Sequence, residues 1–205
     1  MELLAWAKEA DRWIIEDDYD SEFRFDAHPM PAMQSLDSSR VIYMNSFSKT
    51  LAPSIRISYL VLPGALMAEF KQKLGFYSCT VASFEQYTLA RFLSRGHFEK
   101  HINRMRKFYR TRRNRVVSLL ETCAFSDRIT ILEQDAGLHF LVKVETELSD
   151  DAMVQRLEAA GIRIKSIGSF YHLPAGEDRH LFVVNYSVLD EGALEEALKR
   201  LPLYL

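Results

Sequence analysis

Two polar clusters hold the residue types that could do chemistry. The first, Glu16-Asp17-Asp18-Tyr19-Asp20, follows the apolar triplet Trp13-Ile14-Ile15. Carboxylates at the carboxyl end of a buried strand stand where open α/β sheets bind ligands, although a bare acidic run more often only faces water. The second cluster, Asn45-Ser46-Phe47-Ser48-Lys49-Thr50, follows Val41-Ile42-Tyr43-Met44 and is trailed by Pro53-Ser54-Ile55-Arg56. Ser-Lys-Thr has the form of a nucleotide P-loop's tail, yet residues 41–48 contain no glycine to let backbone amides close around phosphates. A different phosphate ligand suits these residues better. Serine and arginine can hold a phosphate monoester, and a desolvated lysine can lose its proton and become an imine-forming nucleophile. The plainer alternative is a solvated lysine in a polar turn.

The clusters say more together than apart. A pyridoxal phosphate site needs a carboxylate to keep the ring nitrogen protonated, a phenol for the ring oxygen, a lysine for the imine, and hydroxyls with an arginine for the phosphate. Asp17, Tyr19, Lys49, Ser46, Ser48 and Arg56 offer that set.

These groups must be positioned by a sheet and its helices. Leu3, Leu4, Ala7 and Ala10 are spaced as a short helix leading into a buried strand at Trp13–Ile15. Residues 20–40, with Pro29 and Pro31, read as loop, and strands follow at 41–44 and 57–62. Helical spacing is expected over about 64–75, 84–95 and 97–122. Beyond residue 125 the texture becomes a small α+β unit: strands at 129–132, 138–144 and 181–186, helices at about 149–160 and 191–200. The expected division is a large-domain portion with its linking helix at 1–122 and a small domain at 123–205. Because the chain opens on a helix feeding an acidic-tipped strand, with no earlier βα units, we expect it to be a fragment.

Composition removes several function classes. With 205 residues, 48% hydrophobic and 26% charged, the chain is of ordinary globular make-up, not disordered or repetitive. Its 26 Lys+Arg against 28 Asp+Glu give no overall pull toward polyanions. No apolar run reaches membrane-span length and no signal peptide opens the chain, so a cytoplasmic protein is expected. Cys79 and Cys123 lack metal-site or disulfide-framework spacing, and no metal is expected. Residues 100–115 carry eight Lys/Arg and no acid, which could track a phosphate backbone. The interleaved seam Phe98, Ile102, Met105, Tyr109, Val116 and Leu120 favours a surface helix packed on a core. His139 reads as a structural histidine on a strand, and Gly137 and Gly168 as turns or close approaches.

The stretches WIIEDDYDSEFRF, VIYMNSFSKTLAPSIRISYLVLP and FEQYTLARFLSRGHFEKHINRMRKFYRTRRNRV resemble, in order, the aminotransferase-like part of the MocR/GabR group of bacterial regulators. These are GntR-family relatives of fold-type I aminotransferases. The resemblance spans essentially the whole chain. It implies an α/β large-domain portion of a pyridoxal-phosphate-dependent transferase with a C-terminal small α+β domain. By the same resemblance Asp17 meets the pyridine nitrogen, Tyr19 the ring oxygen, Lys49 forms the imine, and Arg56, Ser46 and Ser48 take the phosphate. A homodimer binding a small amine or amino acid is implied, with DNA bound only through a winged helix outside this chain. In LFVVNYSVL, Val183 stands where many aminotransferases place a carboxylate-clamping arginine, with Arg179 nearby.

Three readings follow: the effector-sensing domain of such a regulator, part of a freestanding aminotransferase, and a partial domain whose vestigial site serves dimerisation. In a sensor, amine exchange at Lys49 would change domain closure. In an aminotransferase, the freed lysine would go on to shuttle a proton.

Overall fold

A computed structural model describes residues 2–25, 30–172 and 179–201. The described residues form two compact units, one of residues 2–22 and 30–104, the other of 23–25, 105–172 and 179–201. The division falls inside one long helix.

The first unit is built on a three-stranded sheet in the order β1-β2-β3. Strand β1 (Ile14–Asp17) runs parallel to β2 (Val41–Ser46), which pairs antiparallel with β3 (Ser58–Val61). The parallel pairing requires a crossover, supplied by residues 18–40, and within it lies the four-residue helix α2 (Met33–Leu36) where the sequence suggested only loop. Pro29 lies outside the described residues. Helix α1 (Glu2–Glu9) buries Leu4 and Ala7 against Ile14 and Val41, with Met33 packed alongside. Strand β1 is not buried on both faces as expected, because Ile15 on the opposite face is 67% exposed.

Asp37, just after α2, ties this crossover to α1. Its carboxylate accepts the Ser39 hydroxyl at 2.6 Å and amide at 3.0 Å and pairs with Lys8 at 2.9 Å. The Ser39 hydroxyl first, then Lys8, hold the carboxyl down to about 2. Its folded value lies below the ordinary 3.8, so the tie contributes fully above about 4 and is lost as pH falls toward 2. A carboxyl titration followed by NMR should place Asp37 near 2, and Ser39→Ala should return it toward the ordinary value. An unchanged titration in that variant would remove the Ser39 hydroxyl as the cause.

Helices α3 (Phe47–Thr50), α4 (Gly64–Leu74), α5 (Ser83–Ser94) and α6 (His97–Glu121) follow, the last crossing from the first unit into the second. In α6, Ile102, Val116 and Leu120 of the expected seam are buried. Met105 and Tyr109 pack against the second core. Four of the basic residues are engaged within the second unit, Arg115 in an exposed ion pair. Arg110 donates to the Phe25 carbonyl, Arg112 to the carbonyls of Tyr186 and Leu189, buried Arg113 to that of Gln134, and Arg115 pairs with Glu195. Within 110–115 the charge run is thus used internally.

The second unit has an antiparallel sheet in the order β4-β5-β7-β6: β4 (Ile129–Leu132), β5 (Phe140–Val144), β7 (Leu181–Val184) and β6 (Lys165–Ser166). Helices α7 (Asp150–Ala159) and α8 (Glu191–Arg200) are capped by Ser149 and Asp190, each accepting an amide three residues on. The core gathers Phe140, Val142, Val144 and Phe182 from the sheet, Met153, Leu157 and Leu198 from the helices, and Phe23 and Phe25 from the early segment. Gly137, at φ 80°, donates to the Phe23 carbonyl at 2.9 Å, a close approach of the expected kind. His139 is exposed immediately before β5, so the reading of it as a satisfied structural histidine on a strand does not hold.

Candidate functional site

The register of the parallel pair brings the two polar clusters to one sheet edge. Asp17 lies opposite Met44, and the Asp18 amide donates to the Met44 carbonyl at 2.9 Å, so β1 ends beside Met44, two residues before β2 ends at Ser46. Alternation along the strands puts Asp17, Met44 and Ser46 on one face, with Glu16, Tyr43 and Asn45 on the other.

Two of the four acids in the first cluster are occupied structurally. Glu16 accepts the Met33 and Gln34 amides at 2.8 and 3.0 Å, satisfying the open start of α2. Asp18 accepts the Ser21 and Tyr43 hydroxyls at 2.8 and 2.9 Å. Asp17 is exposed and has no hydrogen-bond partner among the described residues. Tyr19 is 42% exposed, and burial of the rest of its ring, with Asp20 and Asp17 nearby, raises its phenol above the usual value. It therefore stays a hydrogen-bond donor at neutral pH.

The second cluster enters α3 directly from β2. Phe47 donates its amide to the Ile57 carbonyl at 3.0 Å and packs on Tyr59 and Phe98, and Thr50 is buried. Those two anchors, three apart on one helical turn, leave Ser48 and Lys49 between them. Lys49 is exposed and unpaired among the described residues. The Ser48 hydroxyl donates to the Ile55 carbonyl at 3.0 Å and accepts Arg56 Nη1 at 3.2 Å. Ser46 ends β2 and donates its amide to Asn45 Oδ1 at 2.6 Å. The predicted residues are thus all carried by the ends of β1 and β2 and by the turn leading into β3. Those left with open donors and acceptors are the ones expected to meet a ligand.

Sequence reasoning passed over Asp18, Tyr43 and Asn45 as a connected group. The available signal was polar Tyr43 and Asn45, two apart on one face of an otherwise apolar strand.

In the second unit Val183 lies opposite Leu141 and Lys165. Arg179 stacks over the Tyr171 ring at 4.5 Å and donates to its hydroxyl at 2.6 Å. Among the described residues no helix is long and apolar enough to cross a membrane, and no group of His, Cys, Asp and Glu is arranged to hold a metal.

A parallel strand edge bearing a carboxylate, a phenol, an amine and a hydroxyl–guanidinium pair, continued by a small antiparallel α+β unit, defines an aminotransferase-like chain. The chain belongs to the aminotransferase class I and II family, which matches residues 1–201. It is 36% identical over 203 residues to the uncharacterized HTH-type transcriptional regulator YdeL of Bacillus subtilis strain 168, covering 98% of this chain and 43% of that protein. It is also 36% identical to the probable rhizopine catabolism regulatory protein MocR of Rhizobium meliloti, over 98% of this chain and 40% of that one. Pyrococcus horikoshii kynurenine aminotransferase, solved with PMP, superposes with a TM-score of 0.80 and 29% identity, over 98% of this chain and 49% of that one. The chain therefore spans about half or less of the length of these relatives. It is an aminotransferase-like domain matching MocR-type regulators, with the fold of type I aminotransferases.

Proposed function

We propose that this chain is part of the effector-sensing domain of a cytoplasmic, homodimeric MocR/GabR-type transcriptional regulator that holds pyridoxal phosphate on Lys49. DNA is bound by a winged helix elsewhere in the polypeptide. The observation that carries this reading is the selective openness of the strand edge. Glu16 and Asp18 are consumed by the fold, while Asp17, Tyr19 and Lys49 keep their polar atoms available beside the Ser48–Arg56 pair.

The donor set fits the group. When bound, it supplies an aldehyde and an electron-withdrawing ring. Lys49 provides the amine for covalent attachment. Asp17 would hold a proton on the ring nitrogen, and Tyr19, whose phenol stays protonated, would donate to the ring oxygen. Arg56, already oriented by Ser48, takes the phosphate together with the hydroxyls of Ser46 and Ser48. With the group bound, Lys49 would be the amine that an incoming amine or amino acid displaces, and that displacement would be the signal. Val183 offers no charge to a carboxylate, which favours a sensor over general amino-acid turnover.

The test is chemical capture. The protein carrying this chain is incubated with pyridoxal phosphate, reduced with borohydride, digested and mapped by mass. The label is expected on the peptide containing Lys49. Its absence, or its recovery only on other lysines, would refute the proposal.

A further inference from the structure

Five hydrogen bonds link the two halves of the site beneath the edge where it opens. Ser21 Oγ and Tyr43 Oη both donate to Asp18 Oδ2, at 2.8 and 2.9 Å. Asn45 Nδ2 donates to Tyr43 Oη at 2.9 Å, and Asn45 Oδ1 accepts the Ser46 amide at 2.6 Å. The Asp18 amide donates to the Met44 carbonyl at 2.9 Å, closing the connection along the backbone. One end of this relay lies between Asp17 and Tyr19. The other is the amide that opens the segment of Ser46, Ser48 and Lys49.

We infer that Asp18, Tyr43 and Asn45 are positioning residues: they lock the carboxylate–phenol turn to the hydroxyl–lysine turn, so that both meet one cofactor at a fixed spacing. The inference rests on the reading of Lys49 as the cofactor lysine. Its physical basis is that Asn45 is buried and Tyr43 half-buried, and their polar atoms satisfy one another. Asp18 supplies a charged acceptor, the stronger kind of hydrogen bond, and accepts two hydroxyls on one oxygen. Burial pushes the Tyr43 phenol well above its ordinary range, and the bond to Asp18 adds to this, so it remains a donor throughout the working pH range. Phe47 and Tyr59 pack beside the relay, with Tyr59 rings 6.1 Å from Tyr43 and 5.5 Å from Phe47, which leaves the turns little freedom to reorganise while it is intact. Tyr43 and Asn45 lie on the sheet face opposite that of Asp17 and Ser46, so direct cofactor contact is not their task.

The experiment uses the full-length protein carrying this chain and pyridoxal phosphate as the probe. Tyr43→Phe removes a single oxygen and is expected to weaken cofactor binding about tenfold, the size expected for one charge-assisted hydrogen bond. The pH at which the visible absorption of the bound cofactor changes should shift too, because Asp17 is displaced from the ring. A merely structural role would lower the melting temperature of the cofactor-free protein and leave that pH unchanged. Asp18→Asn keeps an acceptor oxygen without the charge and should weaken binding less than Asp18→Ala, which should behave like Tyr43→Phe. The double variant Asp18→Ala/Tyr43→Phe should be no weaker than Asp18→Ala alone, since one relay is broken either way. Borohydride capture on Lys49 in the parent separates the two levels of the argument. Capture with unchanged affinity in Tyr43→Phe, or multiplicative losses in the double variant, overturns the relay only; no capture overturns both.

Discussion

Lys49→Ala is expected to abolish covalent capture of pyridoxal phosphate while leaving the fold intact. The two halves of that expectation have separate causes. Attachment requires an amine that can lose its proton, and Lys49 is the lysine carried by the turn that also bears Ser48 and leads to Arg56. The fold is indifferent because α3 is anchored by Phe47 and Thr50, while Lys49 is exposed and pairs with nothing among the described residues. Loss of such a surface side chain changes stability by no more than about 0.5 kcal/mol. Lys49→Arg sharpens the test, since it preserves the positive charge but its guanidinium does not deprotonate. It too should give no capture. Both variants should still bind the cofactor reversibly through Arg56 and Asp17, seen as quenching of protein fluorescence that is lost on dialysis. Undiminished capture in Lys49→Ala would assign the chemistry to another lysine and remove the sensing mechanism with it.

Lys49, Asp17, Tyr19 and Arg56 stand out in the chain as candidates because cofactor chemistry constrains side-chain type and spacing at once. A carboxylate and a phenol two apart, then an amine and a guanidinium seven apart, leave few other uses for the set. The neighbouring acids were not separable in the same way. Glu16, Asp17 and Asp18 are chemically alike in sequence, and what distinguishes them is the partner that folding brings. Glu16 meets α2 across 17 residues and Asp18 meets Tyr43 across 25, neither of which local spacing can encode.

Helices followed the same logic at a larger scale. The seam of α6 repeats at helical period for many turns, so its ends at His97 and Glu121 lie within a residue of the expected span. Strand β6 has two residues, too few for any period, and owes its existence to pairing with β7. Phe23 and Phe25 show how tertiary contact overrides neighbourhood in the chain. They follow Asp17 and Tyr19 closely, yet they bury themselves in the second unit, where Arg24 bridges Ala136 and Phe25 donates its amide to Asp135. Arg110 and Arg113, which in sequence resembled parts of a phosphate tracker, are the residues that receive this segment, through the Phe25 carbonyl and ring.

That second core sets the other large expected effect, a loss of about 3–5 kcal/mol for Phe140→Ala. Phe140 is 0% exposed at the start of β5, opposite Val184, and its ring stacks on Tyr186 at 5.8 Å. Tyr186 in turn donates its hydroxyl to the Gly137 carbonyl, holding the left-handed turn that leads into β5. Removing the ring therefore forfeits its burial, leaves a void that close-packed neighbours fill only in part, and frees Tyr186 from one of its faces. Against a total stability of about 5–15 kcal/mol for an ordinary domain, that is enough to populate the unfolded form of this unit. Phe140→Leu retains most of the volume and should cost far less, and Leu132→Ala, on the outer face of β4, less again. Hydrogen exchange locates the effect: amides of β5 and β7 should lose protection in Phe140→Ala while those of β1 and β2 keep theirs. Uniform loss across both sheets would mean that the two units unfold as one, and unchanged protection in β5 would mean that Phe140 is not at the centre of this core.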